Sequence, residues 1–393
     1  IAPFLGIGGM TTANAQERVS IDTAINTALQ SNGQVNVNKS EIDAAKYNVK
    51  TANDIPMTQV FVENEDLRPS DKTGIWKIGL TQSIAWPGLY AARKDYLKAQ
   101  LKYSELNTEV MNANIRKDVR TAYYQLWFLQ DKNLLLKSLD SIYTNLFNTT
   151  QVRVRTGDVA KLDQIAADAQ LKQLKAYVEQ NNKEIVIQQQ QLMVLLNRNE
   201  WILPIDEPLQ KLETNLYDEN NVHPVLQLQQ QNVSVAAANI KIQKKSNLPE
   251  FSARVFSQRL YGVSDPFTGF SVSVGFPLFG AGAYKNKVNV ANKEKEVQEN
   301  LLSYQTQVMA TDKKSAIAEM EKNMALLSFF ETSGLQQAKD ITEAASQSYR
   351  SGDISFAELS QFLTQAINIR QNYLDVLNSY NHSAIQYNYL NNK

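Results

Sequence analysis

The sequence predicts a mainly α-helical chain with a membrane β-barrel portion: long coiled-coil helices, and four strands per chain that join a barrel shared between copies. Three observations predict it. The same short signatures recur about 193 to 195 residues apart, half of a 393-residue chain. Residues 90–154 contain neither Pro nor Gly. Apolar residues alternate with polar ones at period two after each of two matching Pro residues.

The repeat comes first. Ile55-Pro56 closes a helical stretch containing Ala44-Ala45, and Leu248-Pro249 closes another containing Ala237-Ala238. Arg155-Thr156-Gly157-Asp158-Val159 returns as Arg350-Ser351-Gly352-Asp353-Ile354. One offset shared by three signatures marks two copies of one module. The expected boundaries are 17–198 for the first repeat, 199–221 for a Pro-bearing connecting segment and 222–393 for the second repeat. Residues 1–16 stand apart. An apolar run precedes Ala13-Asn14-Ala15, which reads either as the back half of a secretory signal or as the tail of a preceding transmembrane helix in a fused protein. On both readings the rest of the chain lies outside the cytoplasm. No later apolar run reaches about 18 residues, so no spanning helix is expected after it.

Each module opens with a helix, over about 34–53 and 225–245. Pro then ends it, because the residue before Pro is disfavoured in helical geometry. Strands follow. Trp76, Ile78, Leu80, Ile84 and Trp86 alternate with Lys77, Gly79, Thr81, Ser83 and Ala85. Phe270, Val272, Val274, Phe276 and Leu278 alternate with Ser271, Ser273, Gly275 and Pro277. Their hairpin partners are expected over 57–67 and 250–261. The connections 68–73 and 262–267 are rich in turn residues.

Long helices complete each module, over about 90–154 and 159–198, then 284–350 and 354–390. Gly334 interrupts the third at a tolerable cost of about 1 kcal/mol. Leu171, Leu174, Val178, Asn181, Ile185, Gln188, Leu192 and Leu195 step by threes and fours, as do Leu359, Phe362, Ala366, Ile369, Tyr373, Val376 and Tyr380. That is the period of a left-handed supercoil.

Four strands cannot close on themselves around a channel. If their apolar faces meet lipid, every edge must be paired, so copies of the chain must share one barrel. Trp76 and Trp86 bracket one apolar band, and Trp76, Ile78, Leu80, Trp86, Val272, Val274 and Phe276 are the expected lipid-facing residues. The other source of such alternation is the edge of a soluble sandwich.

Composition excludes several functions. Lys+Arg 40 balances Asp+Glu 40, so there is no net basic field to hold nucleic acid. The sequence has no Cys, which removes disulfide scaffolds, thiol nucleophiles and acylated cysteine anchors. Its two histidines, His223 and His382, have no further ligand at metal-site spacing, and no acid–base or nucleophile set converges. Neither an enzyme nor a cofactor is expected.

Taken together, the tandem module, the strand pairs after Ile55-Pro56 and Leu248-Pro249, and the helix turns Arg155-Thr156-Gly157 and Tyr349-Arg350-Ser351-Gly352 resemble the outer-membrane efflux proteins of the TolC type. The resemblance runs from about Val19 to Leu390. It implies a homotrimer with a twelve-stranded barrel in the outer-membrane lipid and a periplasmic tunnel of helices. It also implies an exit duct docked to a periplasmic adaptor and an inner-membrane pump, and the branch it most resembles serves heavy-metal or other cation pumps. The turns Arg155, Thr156, Gly157, Arg350, Ser351 and Gly352 then become adaptor-docking tips, where the residues alone are equally consistent with plain helix-breaking turns. Matched from each Gly, Asp163 and Tyr349 fall at a bonded pair of the family's periplasmic gate, and Glu358 falls at the first of two aperture aspartates. Gln361 stands in place of the second, and Ile354 in place of an arginine. Without the resemblance, Asp163 and Glu358 read as first-turn acids complementing a helix dipole. The competing function is a periplasmic adaptor or extended coiled-coil scaffold, which would carry a single helical hairpin.

Overall fold

The computed structural model of the chain describes residues 17–66, 69, 74–205, 208–214, 222–259, 267–277 and 281–392. The leader-like segment 1–16, most of both strand connections and part of the 199–221 stretch lie outside the described residues.

In chain order the elements are β1 (Glu17–Arg18), α1 (Ile21–Ser31), α2 (Gly33–Lys50), a 3-10 turn (Thr51–Asn53), β2 (Gln59–Glu65), β3 (Ile75–Ile84), α3 (Pro87–Thr156) and α4 (Lys161–Leu196). Then come β4 (Ile202–Leu203), α5 (Pro224–Lys245), β5 (Glu250–Arg259), β6 (Phe267–Gly275), α6 (Ala281–Phe329), a π turn (Phe330–Gly334), α7 (Leu335–Ser351) and α8 (Phe356–Leu390). The chain divides into two compact units, and each takes pieces from both halves of the sequence. One gathers Ile1–Val35, Met111–Val222 and Met309–Lys393; the other gathers Asn36–Val110 and His223–Val308.

The second unit carries the sheet, an antiparallel ribbon in the order β2-β3-β5-β6. Register places Val60, Leu80, Val255 and Phe270 in one row across it, and Ile84, Phe251 and Val274 in another. Between them these positions leave one face apolar and solvent-exposed. The opposite face carries Glu63, Lys77, Thr81, Arg254, Ser271 and Ser273, because side chains alternate across a strand. β2 and β6 are left as open edges.

The first unit is built on helices with two apolar clusters. One centres on Val119, Tyr123, Leu126, Leu129, Leu192 and Leu196, all nearly inaccessible. The Tyr123 hydroxyl donates to the Val19 carbonyl at 2.8 Å, which holds the start of the chain on α3. The other cluster joins Leu136, Leu139 and Tyr143 of α3 to Leu171 and Leu174 of α4, Tyr349 of α7, and Phe356, Leu359 and Leu363 of α8.

Three features depart from the sequence expectations. First, a separate helix, α1, precedes the one expected over 34–53. Ser20 caps it by accepting from the Thr23 N–H at 3.2 Å, and Asn32 leaves helical geometry (ψ 136°) to bond the Leu195 carbonyl at 2.8 Å. Second, the buried positions of α4 run through Ala167, Leu171, Leu174, Asn181, Gln189, Leu192 and Leu196. They drift one residue past the expected Gln188 and Leu195, a spacing of about 3.6, which is that of a straight helix. Phe362 is likewise 41% exposed, and Leu363 takes its place inside. Third, the helix expected over 284–350 contains a π turn, and Gly334 lies within it. A side chain there would approach Phe330 at 3.0 Å and Ile369 of α8 at 3.6 Å, so Gly allows the helices to pack closely.

Asparagine does much of the joining. Asn381, fully buried on α8, donates to the Gln210 carbonyl at 2.9 Å and accepts from the Leu212 N–H at 2.8 Å. One amide thereby satisfies an irregular segment on both its donor and acceptor sides. Asp131 on α3 accepts from the Leu209 N–H at 2.6 Å, and its burial raises its pKa.

Candidate functional site

The two helix turns are built alike. Gly157 and Gly352 sit at φ +82° and +85°, the left-handed region that L side chains rarely adopt. Asp158 N–H bonds Arg153 O at 2.9 Å and Gly157 N–H bonds Val154 O at 3.2 Å. In the second turn Asp353 N–H bonds Ser348 O at 2.9 Å and Gly352 N–H bonds Tyr349 O at 3.3 Å. Both are Schellman closures, which satisfy the last carbonyls of α3 and α7. A hydroxyl then locks each turn: Thr156 Oγ1 donates to Asp158 at 2.9 Å, and Ser351 Oγ donates to Asp353 at 2.6 Å. Arg155, Thr156, Gly157, Arg350, Ser351 and Gly352 are all exposed.

Behind the turns, Tyr349 is 3% exposed. Its ring packs edge-on to Phe356 at 6.4 Å and lies under the Arg153 guanidinium at 4.9 Å. Arg153 also donates to the Tyr349 carbonyl at 3.4 Å. The Tyr349 hydroxyl faces the buried Thr150 Oγ1 at 3.5 Å, not Asp163. Asp163 occupies the first turn of α4, half-buried, with its N–H on the Ala160 carbonyl at 3.0 Å. Within one chain the two residues are not brought together.

Glu358 closes a reciprocal cap on α8. Its Oε2 accepts from the Ser355 N–H at 2.7 Å and the Ser355 hydroxyl at 2.8 Å, while its own N–H donates to Ser355 Oγ at 3.3 Å. The backbone bond first, and the hydroxyl second, hold its pKa below the usual carboxylate value. A lowered folded pKa means that the cap contributes fully above the ordinary carboxylate range and is lost as pH falls through the lowered value. Protection of the Ser355 amide against hydrogen exchange should therefore drop on acidification. In Glu358→Gln it should not vary with pH over that window.

Trp76, Ile78, Leu80, Val272 and Val274 of the sheet and Phe276, just past β6, are 48–69% exposed, and Trp86, beyond the end of β3, is stacked on Phe251 at 5.8 Å. His223 caps α5 by accepting from the Val225 N–H at 3.3 Å. His382 meets Gln125 Oε1 at 3.1 Å, and burial lowers its pKa. Among the described residues no group of three His, Asp or Glu could hold a metal ion. Nor is any described helix long and apolar enough to cross a membrane.

Residues 216–388 match the profile of the outer membrane efflux protein family. The match covers most of the second half of the chain. Solved structures agree over nearly its whole length. A membrane protein from Pseudomonas aeruginosa superposes with a TM-score of 0.81 at 14% identity, covering 96% of this chain and 91% of its own. CusC gives 0.78 at 15% identity (96% and 93%), and the Campylobacter jejuni CmeC outer membrane channel gives 0.77 at 14% (95% and 85%). No curated protein matches the sequence significantly. These likenesses single out no heavy-metal or cation branch. The chain thus has the fold of these outer membrane proteins, with long helices and four strands in one sheet.

Sequence reasoning missed Arg153 and Thr150, which hold Tyr349, and the lock made by Asp158 and Asp353. The second was within reach: a hydroxyl, Gly and Asp in succession stand at both turns, but served only as a repeat marker. Arg153 carried no such signal, because the cation–π contact joins positions 196 residues apart.

Proposed function

We propose that this chain is an outer membrane efflux protein, three copies of which form a passive, non-enzymatic duct with a periplasmic helical tunnel, fed by an inner-membrane pump through a periplasmic adaptor that grips the two turns. The observation that carries it is the sheet: one exposed apolar face, one polar face and two open edges. In lipid, edges β2 and β6 must pair with other copies, and antiparallel order allows β6 of one chain to meet β2 of the next. The halves 17–198 and 222–393 act as repeats that each supply one strand pair and one helical hairpin. A single-hairpin adaptor or scaffold has no use for such a sheet.

Arg155, Thr156, Gly157, Arg350, Ser351 and Gly352 form the docking tips. Asp163, Tyr349 and Glu358 surround the periplasmic mouth. Trp76, Ile78, Leu80, Trp86, Val272, Val274 and Phe276 face lipid. The test is fractionation followed by cross-linking. Recovery from the outer membrane as a heat-sensitive trimer, cross-linked to an adaptor through Arg155→Cys or Arg350→Cys, supports the reading; a soluble periplasmic species overturns it.

A further inference from the structure

The polar face of the sheet holds two ion pairs set among aromatic rings. Arg254 of β5 pairs with Glu63 of β2, reaching across β3. Its guanidinium lies 3.5 Å from the centre of the Phe61 ring. Lys77 of β3 donates to Glu65 at 2.6 Å, and its amine is 5.7 Å from the Phe256 ring. Two glycines make this possible. Phe61 stands opposite Gly79, and Phe256 opposite Gly269, in one row of the register. A Cβ on either glycine would come within 2.6 Å of the facing ring. The rings therefore lie down over the glycines, and long cationic side chains can bridge strands along the surface instead of projecting from it.

The charges on this face nearly cancel. Glu63 and Glu65 each have a cation, and Glu250 stands apart at the first position of β5. The side chains of Lys77 and Arg254 are 18% and 31% exposed, so both cations are drawn into the wall.

We propose that Arg254 and Lys77 set the charge selectivity of the barrel bore by neutralising Glu63 and Glu65, so that the barrel conducts cargo of either sign. A bare acidic ring inside a low-dielectric wall focuses its field and concentrates cations. Threefold repetition would turn each uncovered glutamate into such a ring. Covered, the bore leaves sign discrimination to other parts of the system. The inference rests on the polar face lining the bore, and the first arm of the experiment tests that point separately.

The sequence has no Cys, so single cysteines report accessibility cleanly. In purified trimers, Ser271→Cys should react with a membrane-impermeant thiol reagent and Val272→Cys should not; the reverse pattern overturns the bore reading itself. In planar bilayers, hexaamminecobalt(III) added from the barrel side should block Arg254→Gln at a concentration on the order of tenfold lower than wild type. Block from the tunnel side should be unchanged. Lys77→Gln, which uncovers Glu65 without touching the Arg254 contact with Phe61, should shift in the same direction. The double variant Glu63→Gln/Arg254→Gln should return to wild-type block. With Ser271→Cys labelled as expected, unchanged barrel-side block in both single variants overturns the proposal.

Discussion

Leu80→Arg should leave no heat-sensitive trimer in the outer-membrane fraction. Leu80 lies in the middle of the apolar face, between Val60 on one side and Val255 on the other, with Phe270 completing the row. All four are more than half exposed in the single chain, so no described residue covers them. An Arg near the bilayer midplane of a barrel costs about 2–4 kcal/mol. Three copies assemble together, so the penalty enters three times. Thr81→Arg, one residue further on the same strand, puts the charge on the polar face and should assemble normally. Unheated gel electrophoresis of the two variants decides it: equal trimer bands would show that the apolar face does not meet lipid.

Gly352→Val should abolish efflux with the trimer intact. A Cβ at Gly352 meets nothing within 4 Å, so the penalty comes from the backbone and not from crowding. At φ +85° an L residue costs about 1–2 kcal/mol, and a β-branched residue more. That is small against the assembly as a whole but enough to open one turn, displacing Arg350 and Ser351. Gly352→Asn, which tolerates the left-handed region, should retain most activity. Drug or ion susceptibility of cells carrying each variant, with trimer bands compared in parallel, measures the separation. Full efflux by Gly352→Val would mean that the shape of this turn does not matter to docking.

The long elements were legible because their signals are local. Pro56 and Pro249 bound helices, Gly157 and Gly352 bound turns, and period two in 76–84 and 270–276 marks strands. What could not be read depends on groups far apart in sequence. The break between α1 and α2 is held by Ser31 and Asn32, whose side chains reach the Leu196 and Leu195 carbonyls, and the 208–213 segment is held by Asn381 and Asp131. An amide that pins a remote backbone looks, in sequence, like any other polar residue on a wet helix. The seam of α4 was displaced for a related reason. Gln188 and Gln189 are adjacent and chemically identical, so a strict seven-residue repeat picks Gln188, whereas the helix buries Gln189.

The π turn at Phe330–Gly334 has a bearing on how the two halves diverged. The Pro-to-Gly interval is two residues longer in the second half, from Pro249 to Gly352, than in the first, from Pro56 to Gly157. An i→i+5 turn holds one residue more than the α-helical turn it replaces, so it accommodates one of these two. It absorbs an insertion on the spot, where the same residue inside a regular helix would rotate everything beyond it by about 100°. Phe330 stays against Tyr373, and the residues of α7 keep their phase against α8. The turn is thus a length-adjusting joint, and within that long helix it is the place where a residue can be lost or gained without turning the helix's inner face outward.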